Sequence, residues 1–371
     1  MKIVGHRVPE LDGIRGIAVL MVMAFHILSH AEHFFDSPLA SFFYWSSQMG
    51  WAGVDLFFVL SGFLITNILL EKKGKKNYFR NFYMRRILRI FPVYYLCLTV
   101  IFIGGFYDSS ITGISTPKTM LWFYSYMQNW LMASGSGPAL YFVHFWSLAI
   151  EEQFYLVWPF VVYYADQKSL MKIGSIAILG AMFLRIYFVF VLDRPDILNT
   201  FPYYSTITRM DSLLIGAMIA IGLQSVAFRD GLVKDAPRVL VYAILIVAAC
   251  FLIQPGSPLT NNGAMITVGF SGLAIMTGAL IVVLLTKNET NITRRVFRNR
   301  GLTFFGKYSY ALYVIHWPIT SFMIEYFVKK GYQGFVPWLV FIVGAFVITL
   351  ILALLSWNLM EKPILNLKRH F

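Results

Sequence analysis

The stretch "GIRGIAVLMVMAFHILSH", residues 13–30, decides how the chain is read. It opens like a loop and continues as a run of Val, Leu, Met and Phe too apolar for the wet face of a soluble helix. An imidazole, His26, sits inside it, eleven residues past Arg15. An apolar helix with a cation at one edge and an ionisable group near its middle suits a bilayer, where such a group is costly and marks a functional site.

Working outward, the composition agrees. Of 371 residues, 58% are hydrophobic and 13% charged, so lipid must be the solvent for most of the surface. The net charge of +13 would suggest nucleic acid as the partner of a soluble protein. In a membrane chain it reads instead as basic residues retained on the cytoplasmic side, with no nucleic acid and no metal expected. Cys97 and Cys250 both lie in apolar runs and read as buried free thiols. No small-residue cleavage site follows the first apolar run, so that helix is expected to be retained.

Ten runs are long enough to span: roughly 14–30, 51–70, 90–106, 144–164, 172–191, 209–227, 238–254, 263–285, 305–327 and 335–357. The fold expected is therefore an all-α integral membrane protein of about ten transmembrane helices. The aromatic segment "MLWFYSYMQNWLMA" (120–133) reads as interfacial or re-entrant. With both termini cytoplasmic, the inner segments hold 25 of the 31 Lys and Arg, including all eight of "KKGKKNYFRNFYMRRILR" (72–89). Short loops and the absence of a low-complexity linker imply one membrane domain over 1–371, with no separate soluble domain.

Depth along ideal helices then groups the buried ionisable residues. His26 lies about 16 Å beyond Arg15, Glu151 about 12 Å below the outer edge, and His316 about 15 Å from the inner edge of its helix. These three are expected to meet near the midplane. A neutral imidazole beside a carboxylate is a general base suited to taking a proton from a hydroxyl. Glu151 shares a helical face with His144, Ser147 and Tyr155, whereas Glu152 points about 100° away and reads as supporting or structural. Arg185 is expected to snorkel outward, and Asp55, Arg209 and Asp211 to sit near the outer rim, on the acceptor side or as structural pairs. Arg85, Arg86 and Arg89, with Arg15 below His26, could grip a phosphate-bearing ligand from the inner face. A transporter with a His/Glu relay, or a scaffold with buried packing residues, would also carry such groups.

Six motifs in order resemble the membrane-bound acyltransferase-3 family, bacterial O-acyltransferases of envelope glycans. They are "LDGIRGIAVLMVMAFH" (11–26), "GVDLFFVLSGFLIT" (53–66), "RRILRIFP" (85–92), "FWSLAIEEQFYLVWP" (145–159), "RMDSLLIG" (209–216) and "GKYSYALYVIHWP" (306–318), followed by the exit "EKP" (361–363). The resemblance implies a multi-pass protein of the bacterial cytoplasmic membrane, of the stand-alone type without an appended esterase-like domain. It also implies transfer of an acyl group, acetyl by default, from cytoplasmic acyl-CoA to a hydroxyl of a glycan or lipid-linked sugar on the outer side. Arg15 would bind the donor, His26 would act as base or transient acyl acceptor, and Glu151 would assist. Asp55, Ser61, Arg86, Arg89, His316 and Glu361 match by position.

Overall fold

The computed structural model of the chain describes residues 8–107, 117–136, 140–192, 200–253, 262–288 and 290–367. Of the basic residues counted above, Lys2, Arg7, Lys118, Arg194, Lys368 and Arg369 lie wholly or by their side chains outside what is described. Among the described residues the regular structure is helical throughout. In lipid no water can satisfy a free backbone group, so apolar runs must close their hydrogen bonds within themselves.

The long helices, in chain order, are α1 (Pro9–Leu28), α3 (Gly53–Lys72), α4 (Tyr78–Tyr107), α7 (Phe145–Tyr164), α8 (Gln167–Phe190), α10 (Thr206–Gln224), α11 (Val226–Ile253), α12 (Phe270–Thr286), α14 (Arg300–Lys329) and α15 (Phe335–Ser356). Shorter ones are α2 (Pro38–Ser47), α5 (Pro117–Tyr124), α6 (Gln128–Ala133), α9 (Phe201–Tyr204), α13 (Ile292–Phe297) and α16 (Lys362–Asn366). Among the described residues, nine helices are long and apolar enough to cross a membrane. The tenth expected span, α7, is 20 residues long, but Ser147, Glu151, Glu152 and Gln153 keep it outside that set. The third and seventh runs, 17 residues each in the sequence, lie in helices of 30 and 28 residues, because the helix continues backward through the basic stretches before them.

The segment expected at an interface folds as α5 and α6, and its two amides are wholly buried. Gln128 donates to the Phe145 carbonyl at 2.7 Å, and Asn129 bridges to Thr206 at 2.9 Å. Bonding of this kind is what lets polar groups enter a membrane protein's interior.

Helices α3, α10 and α12 are mostly enclosed, while α8, α11 and α15 turn most of their apolar side chains outward, as lipid-facing helices do. Close approach at the centre depends on glycine. A Cβ on Gly16 would lie 2.0 Å from the Leu302 carbonyl oxygen of α14, and one on Gly306 would lie 1.8 Å from that of Asp12. Backbone therefore meets backbone between α1 and α14, as small residues permit in membranes. Antiparallel α3 is joined to α4 by a turn in which Gly74 and Asn77 take positive φ, 75° and 60°. That turn, the start of α1 and the α12–α14 connection lie on one face of the bundle, called here the basic face: Glu10 pairs with Arg294 at 2.6 Å, and Lys73 reaches the Ala165 carbonyl at 2.6 Å.

Candidate active site

Side by side, α1 and α14 rise from the basic face, and each brings a histidine to the same height. His26 Nδ1 lies 2.9 Å from His316 Nε2. The other nitrogen of His316 faces two backbone carbonyls, Tyr313 at 2.7 Å and Leu312 at 3.2 Å. Carbonyls only accept, so Nδ1 of His316 carries the proton and its Nε2 is a bare acceptor. For the neutral pair, His26 must then donate through Nδ1, which leaves its Nε2 as a lone pair. The ring of His26 packs 4.4 Å from that of Trp317, centroid to centroid.

A third imidazole, His144 at the start of α7, stands edge-on to His316 at 5.2 Å. Its Nε2 donates to the Val314 carbonyl at 3.2 Å. That carbonyl is available because Pro318, four residues on, has no N–H to claim it. A buried hydroxyl link joins this level to the next: Tyr313 Oη donates to the His144 carbonyl at 3.0 Å and lies 2.6 Å from Ser147 Oγ.

Glu151 is not among the histidines. It lies seven residues down α7 from His144, about 10 Å toward the basic face. There its carboxylate accepts from Ser61 Oγ at 2.6 Å. Both line a cavity of about 100 Å³ together with Arg15, Arg86, Arg89 and Glu152. Ser147, Tyr155, Tyr310 and Tyr313 complete much of the wall. The three residues expected at one depth thus divide into a histidine level and a carboxylate–arginine level. Depth reckoned from the outer end of α7 misled because the polar helix starts inside the bundle, at His144, rather than at its edge.

Arg15 leans on Asp12 at 2.9 Å, whereas Arg86 and Arg89 form no ion pair among the described residues. Nε of Arg86 is buried with no hydrogen-bond partner. Oε1 of Glu152 is likewise buried and unpartnered, so the two carboxylates face one cavity even though they leave α7 at different angles. Arg85 is exposed and lines a separate cavity beside Arg86. Glu361, in the π-turn Trp357–Glu361 after α15, is 5% exposed and accepts from Ser356 at 3.3 Å.

The expected outer-rim residues prove to be buried braces. Arg209 bonds both oxygens of Asp55 at 3.0 Å and lies 3.8 Å over the Phe270 ring. Asp211 turns away from Arg209 and takes Arg185 at 2.8 Å and Ser271 at 2.7 Å. The expectation that Arg185 snorkels outward is corrected: it is 0% exposed, because a carboxylate and the Thr208 carbonyl await it inside. Among the described residues no group of three His, Cys, Asp or Glu side chains is placed to hold a metal ion.

Tyr310 and Tyr313 escaped the sequence reading. They stand six and three residues before His316, so three-residue spacing puts all three on one face of α14, and that spacing was the available signal.

An apolar bundle holding a base, carboxylates and unpaired guanidinium groups suits group transfer at a membrane, and comparison with known families agrees. Residues 8–357 match the acyltransferase domain of the acyltransferase-3 family, and the chain belongs to that family. It is 29% identical over 384 residues to the peptidoglycan O-acetyltransferase OatA of Listeria monocytogenes, covering 96% of this chain and 56% of that protein. It is 27% identical over 376 residues to the O-acetyltransferase OatA of Staphylococcus aureus, covering 96% and 57%. The chain thus spans little more than half the length of these relatives. No solved structure matches. The apolar helices and the bacterial relatives make this a multi-pass protein of a bacterial cytoplasmic membrane.

Proposed function

We propose that the chain transfers an acetyl group from acetyl-CoA to a hydroxyl of a cell-envelope carbohydrate. Peptidoglycan, the acceptor named for one relative, is the first candidate. The donor enters from the basic face, which is cytoplasmic, and Arg15, Arg86 and Arg89 hold its phosphate end. Its pantetheine arm runs past Ser61 and Glu151 toward Tyr313. The acceptor hydroxyl arrives from the opposite face at His26.

The observation that carries this reading is the His26–His316 bond, whose proton inventory leaves Nε2 of His26 basic. Nε2 takes the hydroxyl proton as the oxygen attacks the thioester carbon. The tetrahedral intermediate then expels the thiolate, the C–S bond breaks, and the imidazolium returns the proton to sulfur. Each step is ordinary general acid–base work for histidine. His316 takes over the orienting role that the sequence suggested for Glu151. Glu151 instead balances the arginines and fixes Ser61 along the donor's path.

The test is acetyl transfer by the purified protein in nanodiscs, with acetyl-CoA and soluble peptidoglycan fragments, read by mass spectrometry of the glycan. Ester-linked acetate on the glycan is expected. Uptake or release of either substrate without a covalent product would favour a transporter. Isolation of an acetyl-enzyme with ping-pong kinetics would replace direct attack with acylation of His26 itself.

A further inference from the structure

A second cavity opens on the basic face below the first. It encloses about 300 Å³ between the end of α3, the following turn and the start of α4. Its polar lining is Lys72, Lys75, Lys76, Asn81, Arg85 and Arg86, and no carboxylate lines it. Lys72 has only a 3.9 Å contact with Glu71, outside the pocket lining, and no ion pair is formed by Lys75 or Lys76 among the described residues. Arg86 lines both this cavity and the one holding Glu151. Its Nε is buried with no hydrogen-bond partner.

Five cations around one concavity repel one another and gain from a bound polyanion. Arginine offers a planar fork and lysine a mobile point charge, the usual pair of grips on phosphate. Topology alone would scatter such residues over the cytoplasmic surface. It would not line a cavity with them or share one guanidinium with the inner site.

On this ground, and resting on the donor reading above, we propose that Lys75 and Lys76 bind the 3′-phosphate of the donor's nucleotide. Arg86 marks where the donor passes from the nucleotide cavity into the inner one. Lys72 stands eleven residues from Ser61 along α3, about 16 Å, so the pantetheine arm crosses that distance. The 3′-phosphate lies at the end of the donor farthest from the thioester, and Lys75 and Lys76 lie in the turn farthest from the inner cavity.

The test compares equilibrium binding of acetyl-CoA and 3′-dephospho-acetyl-CoA to the full chain in phosphatidylcholine nanodiscs. Native protein, Lys75→Ala/Lys76→Ala and the charge-keeping Lys75→Arg/Lys76→Arg are compared. For the native protein, loss of the 3′-phosphate should weaken binding about tenfold to a hundredfold, the scale of charge-assisted hydrogen bonds. The alanine pair should erase that difference while binding the dephospho form like the native protein, and the arginine pair should restore most of it. An alanine pair that weakens both ligands equally, or neither, overturns the assignment and leaves the donor reading intact. Native protein that binds neither ligand overturns both. If phosphatidylglycerol in the nanodisc displaces acetyl-CoA from the native protein but not from the alanine pair, the cavity is a lipid-headgroup site and the nucleotide assignment fails.

Discussion

A histidine's chemistry depends on which nitrogen holds the proton, and here the neighbours decide it. Two carbonyls fix the proton on Nδ1 of His316, and its other nitrogen fixes His26 in turn. His316→Gln retains an acceptor for the His26 N–H, whereas His316→Ala removes it. We predict that the alanine variant loses about tenfold to a hundredfold in transfer rate, the scale known for metal-bound histidines that lose the partner orienting their ring. The glutamine variant should lose clearly less, and turnover at saturating donor distinguishes the two. His26 and His316 were legible in the sequence because an imidazole in an apolar run is conspicuous. Their direct contact was legible only as matched depth. Tyr313 was passed over because tyrosine is common in membrane helices: its spacing from His316 was a weak signal, and its bonds to Ser147 and His144 show its place.

Helix positions were legible at the level of elements because hydrophobic length is a strong signal, and α7 keeps its expected bounds although its polar residues interrupt that signal; what was misread is the depth at which it starts. Which helices touch was not legible, since the interface depends on glycines that carry no pattern of their own. Substituting Gly16 with leucine drives side-chain atoms into the backbone of α14. The expected outcome is separation of His26 from His316, destabilisation at or above the upper end of the roughly 1–3 kcal/mol typical of overpacking, and lost transfer. A thermal-unfolding assay alongside turnover checks both. The Arg185–Asp211 pair ties α8 to α10 in the same interior. Asp211→Leu alone strands a buried guanidinium and should cost about 3–5 kcal/mol, whereas Arg185→Met with Asp211→Leu should recover much of that loss. A double variant no more stable than the single would show that the pair does not act as a unit.

For the whole molecule, the distribution of charge is the basis of the proposed orientation. Lys72, Lys75, Lys76, Arg294, Arg295 and Arg298 fall on one face, and nine apolar helices with polar α7 carry the chain between the two faces. On the proposed orientation, with the basic face cytoplasmic, a single cysteine at Ile292 or Lys75 in a cysteine-free background should react with a membrane-impermeant maleimide only after cells are opened. One at Phe42 should react in intact cells; the reverse pattern would invert the donor and acceptor sides. On the proposed function, the separation of a carboxylate–arginine level from a histidine level assigns donor capture and proton transfer to different places, so one should be removable without the other. The most direct test is to measure radiolabelled acetyl-CoA binding and acetyl transfer on the same purified preparations of native protein and His26→Gln. The account predicts donor affinity within about twofold of native and transfer lowered about a hundredfold to ten-thousandfold, the span of general-base catalysis. A His26→Gln protein that binds donor and transfers acetyl at the native rate would contradict it.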